Sequence, residues 1–131
     1  MYDIRNKKYL GEGKEFKISL KTSVPELFGL VSGKIDNIKV AAPSSIKPGE
    51  KVELNFELTG SGASNLKSVV RIDVYNPAGE AVNYYGKNCD IANGSGSYSF
   101  DIAISDQSGI WKIRLTEVIS GVEKEVSITV K

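Results

Sequence analysis

Apolar and polar residues alternate with a period of two over most of the chain, and this pattern predicts β-strands. The clearest example runs from Lys51 to Leu58, where four apolar residues alternate with four polar ones. Successive side chains of a strand point to opposite faces, so such a segment buries one face and exposes the other. The residues predicted to face a core in this way are Ile38, Val40, Val52, Leu54, Phe56, Leu58, Val70, Ile72, Val74, Tyr98, Phe100, Ile102, Ile104, Trp111, Ile113, Leu115, Val126, Ile128 and Val130.

Turn-forming residues separate these segments, notably at Pro48-Gly49, Asn76–Gly79, Asp106–Gly109 and Ser120-Gly121. A short returning strand is predicted over Ala81–Tyr85. With the alternating segments, it brings the predicted number of short strands after residue 35 to seven. No segment keeps a helical period over ten residues, and β-branched Val and Ile outnumber Leu and Ala. The pattern therefore predicts an all-β fold, an antiparallel β-sandwich of the immunoglobulin or fibronectin type III kind, over residues 35–131.

Residues 1–34 have a different character. Residues 1–21 carry six basic and three acidic side chains, a net charge of +3, which leaves −2 for the remainder of a chain whose total is +1. We interpret residues 1–34 as extra N-terminal strands, the remnant of or an extension from a preceding β domain. Short strands are expected at Tyr2–Arg5, Lys8–Leu10 and Glu15–Leu20, and Pro25–Val31 is a more continuous apolar run.

Composition excludes several kinds of chemistry. With 17 basic and 16 acidic residues the chain lacks the basic surplus that nucleic-acid binding needs, so no nucleic-acid partner is expected. It has no His and a single Cys, which removes His-dependent nucleophiles and His- or Cys-rich metal sites. The loop carboxylates Asp90 and Asp106 do not form an acidic calcium loop. No apolar stretch is long enough to span a membrane. We predict no enzymatic activity, no cofactor, no metal and no membrane insertion.

Three tyrosines are the candidate ligand-binding residues. Tyr84 and Tyr85 are adjacent, and with Tyr75 across the turn they would form a small aromatic patch of the carbohydrate-binding type. The alternative is that these rings cover the core at an edge strand. Trp111 shares a face with apolar residues, which favours a core position over a sugar platform, and Cys89 is expected to be a half-buried apolar side chain.

The run Val69–Gly79 resembles the V-x-V-x-x-P-x-G hairpin of bacterial immunoglobulin-like modules, and Ser108–Gly121 is similar to their ending around a central Trp. With Tyr84-Tyr85, these motifs resemble the C-terminal sandwich domains of large bacterial proteins related to β-galactosidases of the trimerisation-domain type. Tyr2–Gly11 and Pro25–Phe28 resemble the last strands of a small β domain that ends a glycoside hydrolase region. In that family the catalytic carboxylates lie in an upstream barrel, so the resemblance transfers no catalytic residue to this chain.

The expected function is therefore architectural. The chain is interpreted as a non-catalytic accessory module cut from a larger, exported glycoside-hydrolase-type protein. Its partners would be neighbouring domains of that protein, and its location would be extracytoplasmic. The alternative function is a carbohydrate-binding module, whose partner would be carbohydrate. The direct start in a strand-like segment, with no signal-peptide pattern, predicts a fragment of a longer protein.

Overall fold

A computed structural model describes residues 1–131 and contains eleven β-strands in three sheets. The strands, numbered in chain order, are β1 (Tyr2–Asp3), β2 (Lys8–Tyr9), β3 (Phe28–Gly29), β4 (Asn37–Ala41), β5 (Ser45–Ile46), β6 (Lys51–Thr59), β7 (Ser68–Tyr75), β8 (Lys87–Ile91), β9 (Ser95–Asp101), β10 (Gly109–Glu117) and β11 (Glu123–Val130). The sheet orders are β2-β1-β3, β5-β11-β10-β7-β8 and β4-β6-β9. All pairings are antiparallel except that of β5 with β11.

The second and third sheets form an immunoglobulin-like sandwich around one core. On β6 the four predicted inward residues are at most 4% exposed, while the residues between them face solvent. Strands β7 and β10 follow the same rule, with Val70, Ile72 and Leu115 wholly buried. A single apolar cluster draws on both sheets. The predicted fold class is thus confirmed, because period-two burial on facing sheets is what a sandwich requires.

Eight strands, not seven, follow residue 35, because one predicted strand is absent and two strands that were not predicted are present. The short strand predicted over Ala81–Tyr85 is wrong, since Ala81 makes a single bridge to Tyr75 and a 3₁₀ turn follows at Asn83–Tyr85. Strands β5 and β8 were not predicted, because each contributes only one or two apolar residues to the core. The 3₁₀ turn at Asn83–Tyr85 is the structure's only helical element. The structure contains no helix that is long and apolar enough to cross a membrane.

One predicted strand is longer than the strand that forms, and another does not form. Strand β9 ends at Asp101, and Ile104, predicted to face the core, is 83% exposed. The segment Glu15–Leu20 alternates like a strand but pairs with nothing. A strand needs a hydrogen-bonding neighbour as well as an alternating sequence. Glu15–Leu20 has no such neighbour, and the backbone bonds that Ile102 makes with Gly49 and Glu50 do not continue to Ile104.

The turn between β8 and β9 requires the Asn93-Gly94 dipeptide. Asn93 and Gly94 have φ of 53° and 73°, and Ala92 pairs with Ser95 around them. Two central residues with positive φ are the mark of a type I′ hairpin, for which Asn-Gly is a favoured sequence. A side chain on Gly94 would also overlap the Ala63 carbonyl oxygen. The dipeptide therefore sets the register of this hairpin.

The small N-terminal sheet contacts the sandwich through specific bonds. Tyr2 is 2% exposed, and its hydroxyl oxygen accepts a 2.7 Å hydrogen bond from the Ile35 N–H. Lys7 forms a 2.9 Å ion pair with Glu123 of β11. Gly29 lets the Ile119 side chain approach its backbone. The division of the chain at residues 34 and 35 stays a prediction.

Candidate functional site

The structure does not bring the three candidate tyrosines onto one surface. Tyr84 is 74% exposed, whereas Tyr85 is 8% exposed and belongs to the core. Their rings meet edge-on with centroids 4.6 Å apart. Tyr75 is half-buried, and its ring instead contacts the Arg114 guanidinium at 5.2 Å. The interpretation of Tyr85 as a surface ligand-binding residue is corrected. Of the three tyrosines, only Tyr84 has a largely solvent-exposed ring.

Tyr85 connects its 3₁₀ turn to strand β9 and to the loop that follows β9 through hydrogen bonds. Its hydroxyl donates to Asp106 Oδ2 at 2.6 Å and accepts from the Ala103 N–H at 2.9 Å. The Tyr98 hydroxyl donates to the Tyr85 carbonyl at 3.1 Å. Burial, followed by the bond to Asp106, raises the pKa of Tyr85 to about 12. These contacts hold Tyr85 in place, and so give Tyr84 a fixed ring to rest against.

Trp111 and Cys89 are both core residues. Trp111 is 3% exposed, and its Nε1–H donates to the Gln107 carbonyl at 2.9 Å. Its ring lies 6.1 Å from that of Tyr85. Cys89 is a free thiol, 7% exposed, and desolvation raises its pKa. A protonated, buried thiol is a poor nucleophile, so Cys89 acts here as a packing side chain.

Glu117 is the buried functional group that sequence reasoning missed. It is wholly buried, and its carboxylate accepts bonds from the Ser68 hydroxyl, the Ile119 N–H and both the N–H and hydroxyl of Ser120. The signal was present in the alternation, because Glu117 has the same parity as the inward residues of β10. The carboxylate organises the turn between β10 and β11, which in turn contacts the N-terminal sheet.

Exposed apolar side chains concentrate near the N-terminus. Nine large apolar residues are exposed in the whole chain, and five of them lie within residues 18–30. We name residues 18–30 the N-terminal apolar segment. Its exposed members are Ile18, Leu20, Val24, Leu27 and Leu30, at 42%, 72%, 44%, 55% and 79%. Concentrated apolar exposure marks a site of protein contact more often than a solvated surface.

The clearest surface depression lies on the outer face of the β4-β6-β9 sheet. It is a shallow, open hollow of about 640 Å³, lined mainly by polar or small side chains such as Lys39, Asn55 and Ser97. Across the whole chain, no group of three or more His, Cys, Asp or Glu side chains is placed to hold a metal ion. The structure thus presents two features for recognition, the Tyr84 ring and the N-terminal apolar segment.

No family model matches the sequence, and no curated protein matches it either. Solved structures are similar in fold. A superoxide reductase (neelaredoxin) from Ignicoccus hospitalis matches with a TM-score of 0.55 and 13% identity, over 74% of this chain and 82% of that one. A Paenibacillus cycloisomaltooligosaccharide glucanotransferase complexed with cycloisomaltoheptaose matches with a TM-score of 0.54 and 12% identity, over 78% of this chain.

A mutant β-glucosidase from Listeria innocua in complex with laminaribiose matches with a TM-score of 0.50 and 12% identity, over 95% of this chain. The chain spans only 14% of the glucanotransferase and 20% of the β-glucosidase. Identities this low establish the fold alone. The chain is a small immunoglobulin-like β-sandwich with an added N-terminal sheet.

Proposed function

We propose that this chain is a non-catalytic accessory module of a larger, exported bacterial glycoside-hydrolase-type protein, and that it mediates domain packing or protein interaction. The observation that carries the proposal is the N-terminal apolar segment, which holds five of the nine exposed large apolar side chains of the chain. Burying such side chains against a neighbour gains roughly 25 cal/mol for each Å² removed from water. Two fold-similar proteins are carbohydrate-active enzymes in which the matching part is a fifth of the chain or less.

Hydrogen exchange tests the packing role. The 131-residue chain and the full product of its natural gene are compared at the amides of residues 14–30. We expect at least tenfold slower exchange in the full product, because contact with a neighbouring domain excludes water from this segment. Amides of the β6 strand, buried in both contexts, are the internal control. Equal exchange in both proteins, or a gene that encodes these residues alone, would overturn the proposal.

Activity assays test the non-catalytic part. The purified chain is incubated with a panel of chromogenic glycosides, and no turnover above the buffer rate is expected. Turnover that co-purifies with the chain through successive columns contradicts the proposal. A reading frame without an export signal contradicts the extracytoplasmic location.

A carbohydrate-binding module is the second candidate, and the exposure of Tyr84 favours it. An aromatic face fixed by its neighbour packs well on the CH groups of a sugar. Soluble polysaccharides are titrated against the wild type and Tyr84→Ala, with Ile110→Ala, which removes an apolar side chain that is 58% exposed, as the matched control. Binding lost only in Tyr84→Ala supports this function. Equal binding by all three proteins, or none, excludes it.

A further inference from the structure

Residues 12–20 leave their whole backbone without a partner. No N–H or carbonyl in this stretch is hydrogen-bonded within the chain, although residues on both sides of it are. Phe16, Ile18 and Leu20 alternate with polar residues, as in a strand with one buried face. Yet Ile18 and Leu20 are 42% and 72% exposed. The stretch has the sequence of a strand and lacks only a neighbouring strand.

We propose that this stretch pairs antiparallel with the same stretch of a second copy of the chain, about a twofold axis through Ile18. The inference rests on the proposed function, because it assigns a partner to the N-terminal apolar segment. A twofold interface uses one patch on both copies, so the patch has to be complementary to itself. The sequence around Ile18 meets that condition.

The apolar face pairs with itself in this register. Ile18 lies opposite Ile18 of the second copy, and Phe16 lies opposite Leu20 in both directions. Six apolar side chains therefore meet on one face of the two-stranded ribbon. Cross-strand pairs of this kind each contribute about 0.2–1 kcal/mol, and burial of the exposed fractions of Ile18 and Leu20 adds to them.

The charges select the same register. On the polar face Glu15 lies opposite Lys21 in both directions, and Lys17 lies opposite Ser19. Moving the axis by one residue to Lys17 would oppose the two Lys17 ammonium groups. Moving it to Ser19 would oppose Lys17 and Lys21. Like charges directly opposite each other are destabilising, so the axis through Ile18 is the one that avoids repulsion.

The free backbone groups also fit this arrangement. If Ile18 and its counterpart form a hydrogen-bonded pair, the ladder uses the backbone of residues 16, 18 and 20. All of these groups are unpaired within the chain. The Lys21 carbonyl, which accepts from the Val24 N–H, is not needed for the ladder and keeps its bond.

Disulfide trapping tests the register. Directly opposed residues of a hydrogen-bonded pair have Cα atoms about 5.5 Å apart, which suits a disulfide. We expect Ile18→Cys to form a covalent dimer under mild oxidation at least tenfold faster than Tyr84→Cys, although position 84 is the more accessible of the two (74% against 42% exposed). The wild type shows whether the buried Cys89 contributes. If Ile18→Cys is oxidised no faster than Tyr84→Cys, the proposed pairing is wrong.

A charge exchange tests the interface independently. Sedimentation equilibrium of the wild-type chain should show a concentration-dependent dimer. Glu15→Lys creates two like-charge pairs and should weaken dimerisation about tenfold, while Glu15→Lys/Lys21→Glu should restore it. A strictly monomeric wild type, or a double variant as weak as the single one, refutes the inference. A monomer whose residues 14–30 are nevertheless protected in the full gene product refutes self-association and leaves the proposed packing function intact.

Discussion

Replacing Glu117 by Gln should lower the free energy of unfolding more than any conservative substitution of a surface residue. The carboxylate of Glu117 is wholly buried and accepts four hydrogen bonds. Oε1 accepts from the Ser68 hydroxyl and the Ile119 N–H, and Oε2 accepts from the N–H and hydroxyl of Ser120. Every neighbour is a donor, so the site requires two acceptor oxygens.

The amide of Gln has one acceptor oxygen and one NH₂ group. Whichever way it lies, its NH₂ group faces one backbone N–H, either that of Ile119 or that of Ser120. The serine hydroxyls are able to rotate and accept instead, but a backbone N–H is not. One buried donor therefore loses its partner, which costs about 1–3 kcal/mol, and the remaining bonds lose their charge assistance. We expect a loss of about 2–3 kcal/mol, a substantial part of the stability of a typical small domain.

Urea unfolding followed by the fluorescence of Trp111 measures this loss. Glu57→Gln is the matched control, because Glu57 lies on the solvent-facing side of β6 and makes no side-chain hydrogen bond in the chain. The control should stay within about 0.5 kcal/mol of the wild type. If the two variants unfold at the same urea concentration with the same slope, the argument that Glu117 organises the β10–β11 turn is refuted.

Three further predictions concern the core and its turns. Folding raises the pKa of Tyr85 from about 10 to about 12. The stability that its neutral hydroxyl contributes is therefore fully present below pH 10 and should be lost as the pH rises from about 10 to 12. Tyr85→Phe should therefore unfold with a shallower pH dependence in that window, and an unchanged slope contradicts the assignment. Gly94→Ala should lower the melting temperature by several degrees, because the added Cβ meets the Ala63 carbonyl at positive φ. An unaffected melting temperature would exclude that clash. Leu115→Ala should cost about 2–5 kcal/mol in urea, whereas Leu30→Ala, at a position 79% exposed, should cost under about 0.5 kcal/mol. Similar losses would show that the core is misplaced.

The N-terminal apolar segment and the sandwich differ in how their exposed surfaces are composed. Outside residues 18–30 only four large apolar residues are exposed, on loops and strand ends across the other 118 residues. Within the segment, five are exposed over 13 residues. Single exposed apolar side chains are ordinary, but this density is not. This difference is why both proposals about protein contact are located there.

The alternation of apolar residues by itself determined the central strands of the sandwich. On β6, β7 and β10 the parity of a residue decides its face, because consecutive side chains of a strand point in opposite directions. The same rule placed Trp111 in the core. Applied to the end of β10, it also predicts that Glu117 points inward. These are local properties, which the chain carries wherever it finds a neighbouring strand.

Tertiary structure decided which alternating segments became strands and which tyrosine was buried. The segment Glu15–Leu20 alternates as regularly as β6, but no strand within the chain lies beside it, so it stays unpaired. Adjacent positions implied that Tyr84 and Tyr85 point to opposite sides, without specifying which. Tyr85 is the buried one because Asp106, 21 residues away, receives its hydroxyl. Glu117 is tolerated in the core because Ser68, 49 residues away, helps to satisfy it. Partners so distant in sequence are assembled only by folding, and no local pattern specifies them.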